Sequence, residues 1–218
     1  MVLFSLLQRD PILIFPWLLA IMIGLTIHEF AHGFSAYLLG DRTAESQGRL
    51  TLNPIAHIDP FGAIMLLIVG FGWAKPVPIN IHQIRHGRLG IIIVSFAGVL
   101  FNFVFATLCI LTLKYFVLIH YPIDNLLVIF LVFLVFINFA LFIFNLLPIP
   151  PLDGYHIIEY FFPSIFLKYS VFMSRWGMFI LLIVVFGTNI ISYVISYFLY
   201  MMSLLFQINI ISLINSAL

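Results

Sequence analysis

The sequence has 218 residues, of which 64% are hydrophobic and 8% charged, with a mean hydropathy of +1.21. Soluble domains carry about 25% charged residues, so these figures exclude an ordinary soluble domain and specify an all-α polytopic membrane protein. A net charge of +1 offers no basic surplus for nucleic acid, and the single cysteine, Cys109, excludes an intrachain disulfide and argues against a thiolate zinc site.

In chain order, residues 1–10 lack a basic n-region and a small-residue cleavage site, and read as a retained anchor rather than a removed signal peptide. Four apolar stretches reach the roughly 20 residues needed to cross about 30 Å of hydrocarbon. They run over about 11–39, 89–119, 126–147 and 176–206. Gly187-Thr188-Asn189 interrupts the last of them and marks a kink or a break. A shorter run, 61–72, is too short to span and reads as a re-entrant segment. Residues 207–218 are apolar but dotted with Asn and Ser, which suits the membrane interface. The whole chain, 1–218, reads as one membrane-embedded domain without repeats or soluble linkers.

Two polar-region stretches read as extended. Residues 48–54 alternate and stop at Asn53-Pro54, and residues 74–80 carry Pro76 and Pro78, which forbid a helix but suit an edge strand. The expectation is a small membrane-associated β-hairpin or sheet whose edge pairs with an extended peptide.

Charge sets the orientation. If 61–72 dips in and returns, then 40–88 and 148–175 share one side, carrying Arg42, Arg49, Lys75, Arg85, Arg88, Lys168 and Arg175. The other side has Arg9 and Lys114. Positive residues mark the cytosolic side, so both termini are expected outside.

The chemistry-bearing motif is His28-Glu29-Phe30-Ala31-His32, near the cytosolic end of the first stretch. On a helix, residues four apart stack on one face, so both imidazoles reach one ion, with Glu29 beside them to take a proton from a metal-bound water. Structural histidines packed on polar neighbours are the bland alternative. Ionisable groups at membrane depth are costly and functional by default, which favours one zinc per chain. His32 lies roughly 10 Å from the helix end at Leu39, shallow enough for water to enter.

A catalytic zinc takes three protein ligands, so a third is required. Asp153 follows a proline-rich stretch, Pro148 to Pro151, that ends the third helix in an irregular turn. Taken alone it reads as an N-cap for the next helix. Beside an unpaired His-Glu-x-x-His it reads as the missing ligand.

These blocks resemble the site-2 protease family of intramembrane zinc metalloproteases, in its minimal prokaryotic form without PDZ or CBS domains. The matching residues are His28-Glu29-x-x-His32, Gly40–Ala44 with Gly48–Pro54, Gly72–Pro78, Ala97-Gly98-x-x-x-Asn102, and Asn145-Leu146-Leu147-Pro148-x-Pro150-x-x-Asp153-Gly154. The family usually reads Pro where Val99 stands. The resemblance implies His28, His32 and Asp153 as zinc ligands and Glu29 as general base. It also implies cleavage of a transmembrane protein substrate within or at the edge of the bilayer of a prokaryotic cell membrane.

Asn102 and Asn145 have two readings, as donors to the substrate or developing oxyanion and as helix–helix hydrogen-bonding groups. His57 reads as a residue that supports a metal ligand or gates the site, or as an interfacial loop histidine bonded to Asp59, the loop reading being favoured. His82 and His86 are solvated or touch lipid headgroups, and His156 lies near the site without being a ligand. A zinc transporter would need further polar ligands along a path through the other spans. An inactive helix-binding relative would lack the general base.

Overall fold

In the computed structural model, residues 6–8 and 10–217 are described. Arg9 and residues 1–5, counted above with the outer side and the anchor, lie outside them. The described chain is helical: α1 (Ile14–Leu38), α2 (Thr43–Ser46), α3 (Pro60–Val69), α4 (Gly87–Leu118), α5 (Leu126–Asn145), α6 (Asp153–Phe161), α7 (Pro163–Gly187), α8 (Ile190–Phe206) and α9 (Ile210–Ala217).

Helices α1, α4 and α5 form the central bundle, each packing on the other two. Their boundaries follow local chemistry. Asp10 accepts a hydrogen bond from the Ile12 N–H, and a 3₁₀ turn over Pro11–Leu13 leads into α1. Asn125 caps α5 through the Leu127 N–H. Small residues let the bundle close: at Gly24 a side chain would meet Leu141, Ile137 and Asn138 of α5.

Helix α3 is ten residues long, about 15 Å at 1.5 Å per residue, half of what a crossing needs. Asp59 caps its start through the Gly62 N–H, and Gly70 ends it with φ 78°. Gly62 and Gly72 then face each other with no room for a Cβ on either. The chain therefore doubles back along the helix it has just made.

Four helical segments have the length and apolarity to cross a membrane: Pro11–Leu38, Gly87–Leu118, Leu126–Asn145 and Phe166–Gly187. The chain is an integral membrane protein. The stretch 176–206 is not one helix. Thr188 is extended, and its hydroxyl donates to the Val184 carbonyl while accepting from the Ile190 N–H. That arrangement closes α7 and opens α8. The two halves pack differently. Leu181 of α7 is buried with Ile149 and Leu152 of the loop after α5, whereas Phe198 of α8 stacks among Phe103, Phe139 and Phe142 inside the bundle.

The expected β-hairpin does not form. Among the described residues there is no strand, only an isolated antiparallel bridge between Ile58 and Ala74. The reason is where the backbone donors go. In 48–54, the Arg49 N–H bonds the Ala44 carbonyl, the Asn53 N–H bonds Thr51 Oγ1, and the Ile55 N–H bonds Asn53 Oδ1. In 74–80, the Lys75 N–H bonds the His57 carbonyl, the Val77 N–H bonds Glu29 Oε2 and the Asn80 N–H bonds Asp41 Oδ2. Pro76 and Pro78 have no N–H to offer. Apart from the bridge at Ala74 the segment has no regular structure, and the His57 carbonyl with the Glu29 and Asp41 side chains holds it in place of a partner strand.

Candidate metal centre

The i, i+4 spacing of α1 brings His28 and His32 onto one buried face, with Nε2 atoms 3.0 Å apart. The third group comes from α6. Its N-cap position is Leu152, with no side-chain cap, so Asp153 does not serve as the cap. Instead Asp153 Oδ2 lies 3.1 Å from His28 Nε2 and 3.3 Å from His32 Nε2. Gly154 makes this approach feasible, since a Cβ there would run into the Leu146 and Leu147 carbonyl oxygens at the end of α5.

These three atoms test the site for a metal. Around a tetrahedral zinc with bonds of about 2.0–2.1 Å, ligand atoms stand about 3.3 Å apart. The observed triangle has edges of 3.0, 3.1 and 3.3 Å. Asp153 Oδ2 is buried without a well-directed hydrogen bond, although both Nε2 atoms are close, and such an orphaned oxygen is costly unless something neutralises it. Among the described residues, His28, His32 and Asp153 are the one trio arranged to hold an ion.

Both imidazoles are held from behind. His32 Nδ1 bonds the Val94 carbonyl at 2.8 Å, and His28 Nδ1 bonds Asn102 Oδ1 at 2.7 Å. A backbone carbonyl only accepts, so His32 Nδ1 carries the proton and Nε2 is bare, as a metal ligand requires. Glycine supplies the room in front: a Cβ on Gly98 of α4 would touch His32 Nε2 and the Cε1 atoms of both rings.

Glu29 is fixed by the segment 74–80. Val77 packs against Gly33 of α1, and its N–H donates to Glu29 Oε2 at 2.8 Å. That segment is anchored further by Asp41, whose Oδ1 accepts from the Thr43 N–H and hydroxyl while Oδ2 accepts from the Asn80 N–H. Arg49 donates to the Lys75 and Pro76 carbonyls.

The other singled-out residues fall as follows. Asn102 is fully buried, and both its amide protons are committed, to the Gly24 carbonyl and to Asn138 Oδ1. This leaves no donor for a substrate. Asn145 donates to the Leu141 carbonyl and is half-buried at the end of α5. His57 is buried in the loop, donating from Nε2 to the Thr51 carbonyl. His156 pairs with Glu159 at 3.5 Å on α6. Two residues had no role assigned from the sequence: Asp41, which sits in an Asp-x-Thr turn, and Asn138, an amide in the middle of an apolar helix.

Comparison with known proteins gives the family. Residues 119–185, which include Asp153, match Peptidase family M50. The "Putative zinc metalloprotease YwhC" of Bacillus subtilis is 42% identical over 193 residues, spanning 85% of this chain and 86% of that protein. Two proteins named "Putative zinc metalloprotease Rip2" match less of their own length. The one from Mycolicibacterium smegmatis is 32% identical over 144 residues, and the one from Mycobacterium tuberculosis 33% over 142. Each match spans 63% of this chain and 54% of the relative. No solved structure matches the chain. Identity at the level of YwhC, extending over nearly the whole of both chains, leaves one assignment: the chain belongs to peptidase family M50, the site-2 protease family.

Proposed function

We propose that this chain is an intramembrane zinc metallopeptidase that hydrolyses peptide bonds of transmembrane protein substrates. The observation that carries the reading is the convergence of three donor atoms, from α1 and from the start of α6, at separations that suit one tetrahedral ion. His28, His32 and Asp153 would hold it. Zinc bound there supplies Lewis acidity, which makes water nucleophilic near neutral pH and polarises a carbonyl.

The chain's own residues do the rest. Glu29 has one oxygen occupied by the Val77 N–H. Its other oxygen takes the proton from the attacking water and delivers it to the leaving amine. The Val94 carbonyl and Asn102 keep the two imidazoles from turning. The single trio among the described residues fits a resident ion rather than a transport path, which needs a succession of sites.

The same reading gives the orientation. Arg42, Arg49, Lys75, Arg85 and Arg88 gather on the side where α1 ends and α4 begins, which marks it as cytosolic. The site then lies toward the cytosol and the N-terminus outside.

The test compares wild type with Glu29→Gln in liposomes containing a panel of single-span substrates. The variant should retain zinc and lose cleavage by about 10²–10⁴-fold, the usual share of a general base. Equal cleavage by both proteins would sink the mechanism.

A further inference from the structure

Behind the metal centre lies a buried chain of hydrogen bonds that reaches from α5 to α1. Asn138 and Asn102 are both fully buried. Asn138 Nδ2 donates to the Leu134 carbonyl at 2.8 Å, Asn102 Nδ2 donates to Asn138 Oδ1 at 2.8 Å, and Asn102 Oδ1 faces His28 Nδ1 at 2.7 Å. A second proton on Asn102 Nδ2 goes to the Gly24 carbonyl at 3.0 Å.

The direction of every bond in this chain is forced. The Leu134 carbonyl can only accept, so the amino group of Asn138 must face it and Oδ1 must face Asn102. Asn102 therefore turns its amino group toward Asn138, which the Gly24 carbonyl reinforces, and its oxygen toward His28. An oxygen can only accept there, so His28 Nδ1 carries the proton and Nε2 is left with a bare lone pair. That lone pair points at His32 Nε2 and Asp153 Oδ2.

We propose that Asn138 is a positioning residue for the metal centre, acting through Asn102 to hold His28 in the tautomer and ring orientation that ligation needs. The chain has no other evident reason to place an amide in the middle of an apolar helix, where hydrogen bonds between helices contribute little to stability. Partners behind a ligand typically govern metal affinity by 10–100-fold. Asn138 stands one bond further back than Asn102, which places its effect near the lower end.

The inference rests on the zinc reading above, and the experiment separates the two. Zinc affinity is measured by chelator competition on the full chain in detergent, with thermal melting alongside. Wild type, His28→Ala, Asn138→Leu, Asn138→Asp and Val135→Ala are compared. Val135 is a buried α5 residue outside the relay and controls for general destabilisation. Wild type should bind one zinc and His28→Ala should lose it. Asn138→Leu should weaken binding about 10-fold. Asn138→Asp, which keeps an acceptor for Asn102, should stay within about 3-fold, and Val135→Ala should match wild type. If Asn138→Leu is not recovered folded, Asn138→Ala reads the same ratio. Wild-type affinity in Asn138→Leu or Asn138→Ala, a loss in Asn138→Asp as large as in Asn138→Leu, or an equal loss in Val135→Ala overturns the relay while leaving the zinc reading intact. Failure of wild type to bind zinc, or its retention by His28→Ala, overturns the zinc reading and the relay with it.

Discussion

The sharpest consequence of the geometry concerns Gly98, which lies inside α4 yet has no room for one more carbon. A methyl group there would lie against His32 Nε2, 2.7 Å from His32 Cε1 and 2.8 Å from His28 Cε1. Carbon contacts are comfortable at about 3.5–4.0 Å, so the rings or the helix must yield by about 1 Å. The rings cannot retreat freely, because their Nδ1 atoms are tied to Val94 and Asn102. Metal geometry tolerates about 0.2 Å. Gly98→Ala should therefore lower zinc affinity at least 100-fold, about 2.8 kcal/mol at 1.4 kcal/mol per decade. Fold stability moves far less. Alanine gains about 1 kcal/mol over glycine in a helix, against an overpacking cost of about 1–3 kcal/mol. The zinc-free protein should melt within a few degrees of wild type while zinc per chain, read by mass spectrometry after dialysis against a chelator series, collapses. Wild-type zinc affinity in Gly98→Ala would refute the placement of both rings.

Gly154→Ala should act from the opposite side. Its Cβ would collide with the Leu146 and Leu147 carbonyls and push Asp153 off the triangle, lowering zinc content without touching either histidine; unchanged content would show that α6 can shift freely. Asp41→Asn leaves one accepting atom where the carboxylate uses two, and should loosen 74–80 by about 1–3 kcal/mol. Amide exchange at Val77 and Asn80 should speed up while zinc content holds, and unaltered exchange would dismiss Asp41 as an anchor. Acidification should release zinc. Burial alone would raise the Asp153 pKa, but the two imidazoles beside it, His28 and His32, hold its carboxyl below the usual carboxylate range. The carboxylate therefore stays ionised as pH falls, and protonation of the imidazoles, which must be neutral to bind, drives the loss. Zinc retained at a pH where Asp153 itself is protonated would contradict this order.

What could be read from the sequence divides along the range of the interactions involved. The histidine pair needed only the pitch of one helix. Asp153 needed one further step, the recognition that four residues from Pro148 to Pro151 must leave irregular backbone after α5. That 74–80 is not helical was equally legible, because two prolines forbid a helix. Its partner was not. Val77 and Asn80 bond to Glu29 and Asp41, 48 and 39 residues away, and no periodicity announces that a carboxylate will replace a strand. Hydropathy alone sees 176–206 as one greasy stretch, but Gly187-Thr188-Asn189 marked the break in the sequence, and what stayed hidden was the single Thr188 hydroxyl that satisfies both sides of it. Asn138 was visible as a polar residue in an apolar helix, but its link to Asn102 across 36 residues was not.

The arrangement also explains how so polar a centre persists at membrane depth. Each imidazole has its rear nitrogen satisfied, the amides behind them are satisfied in turn, and Asp41 occupies both its oxygens with the segment that presents Val77 to Glu29. Unsatisfied polarity at the centre is thereby confined to three converging atoms, and the carboxylate oxygen among them lacks a well-directed hydrogen bond. In an apolar setting that atom is a standing cost of several kcal/mol, relieved by a cation and by little else. The surrounding bonds fix the histidines in a ligating posture before any ion arrives, so binding need not repay the ordering of the site. Rigidity around the three donors and the absence of a donor aimed at them follow from the same set of hydrogen bonds, which is why a change as small as one methyl group at Gly98 is expected to outweigh larger changes elsewhere in the bundle.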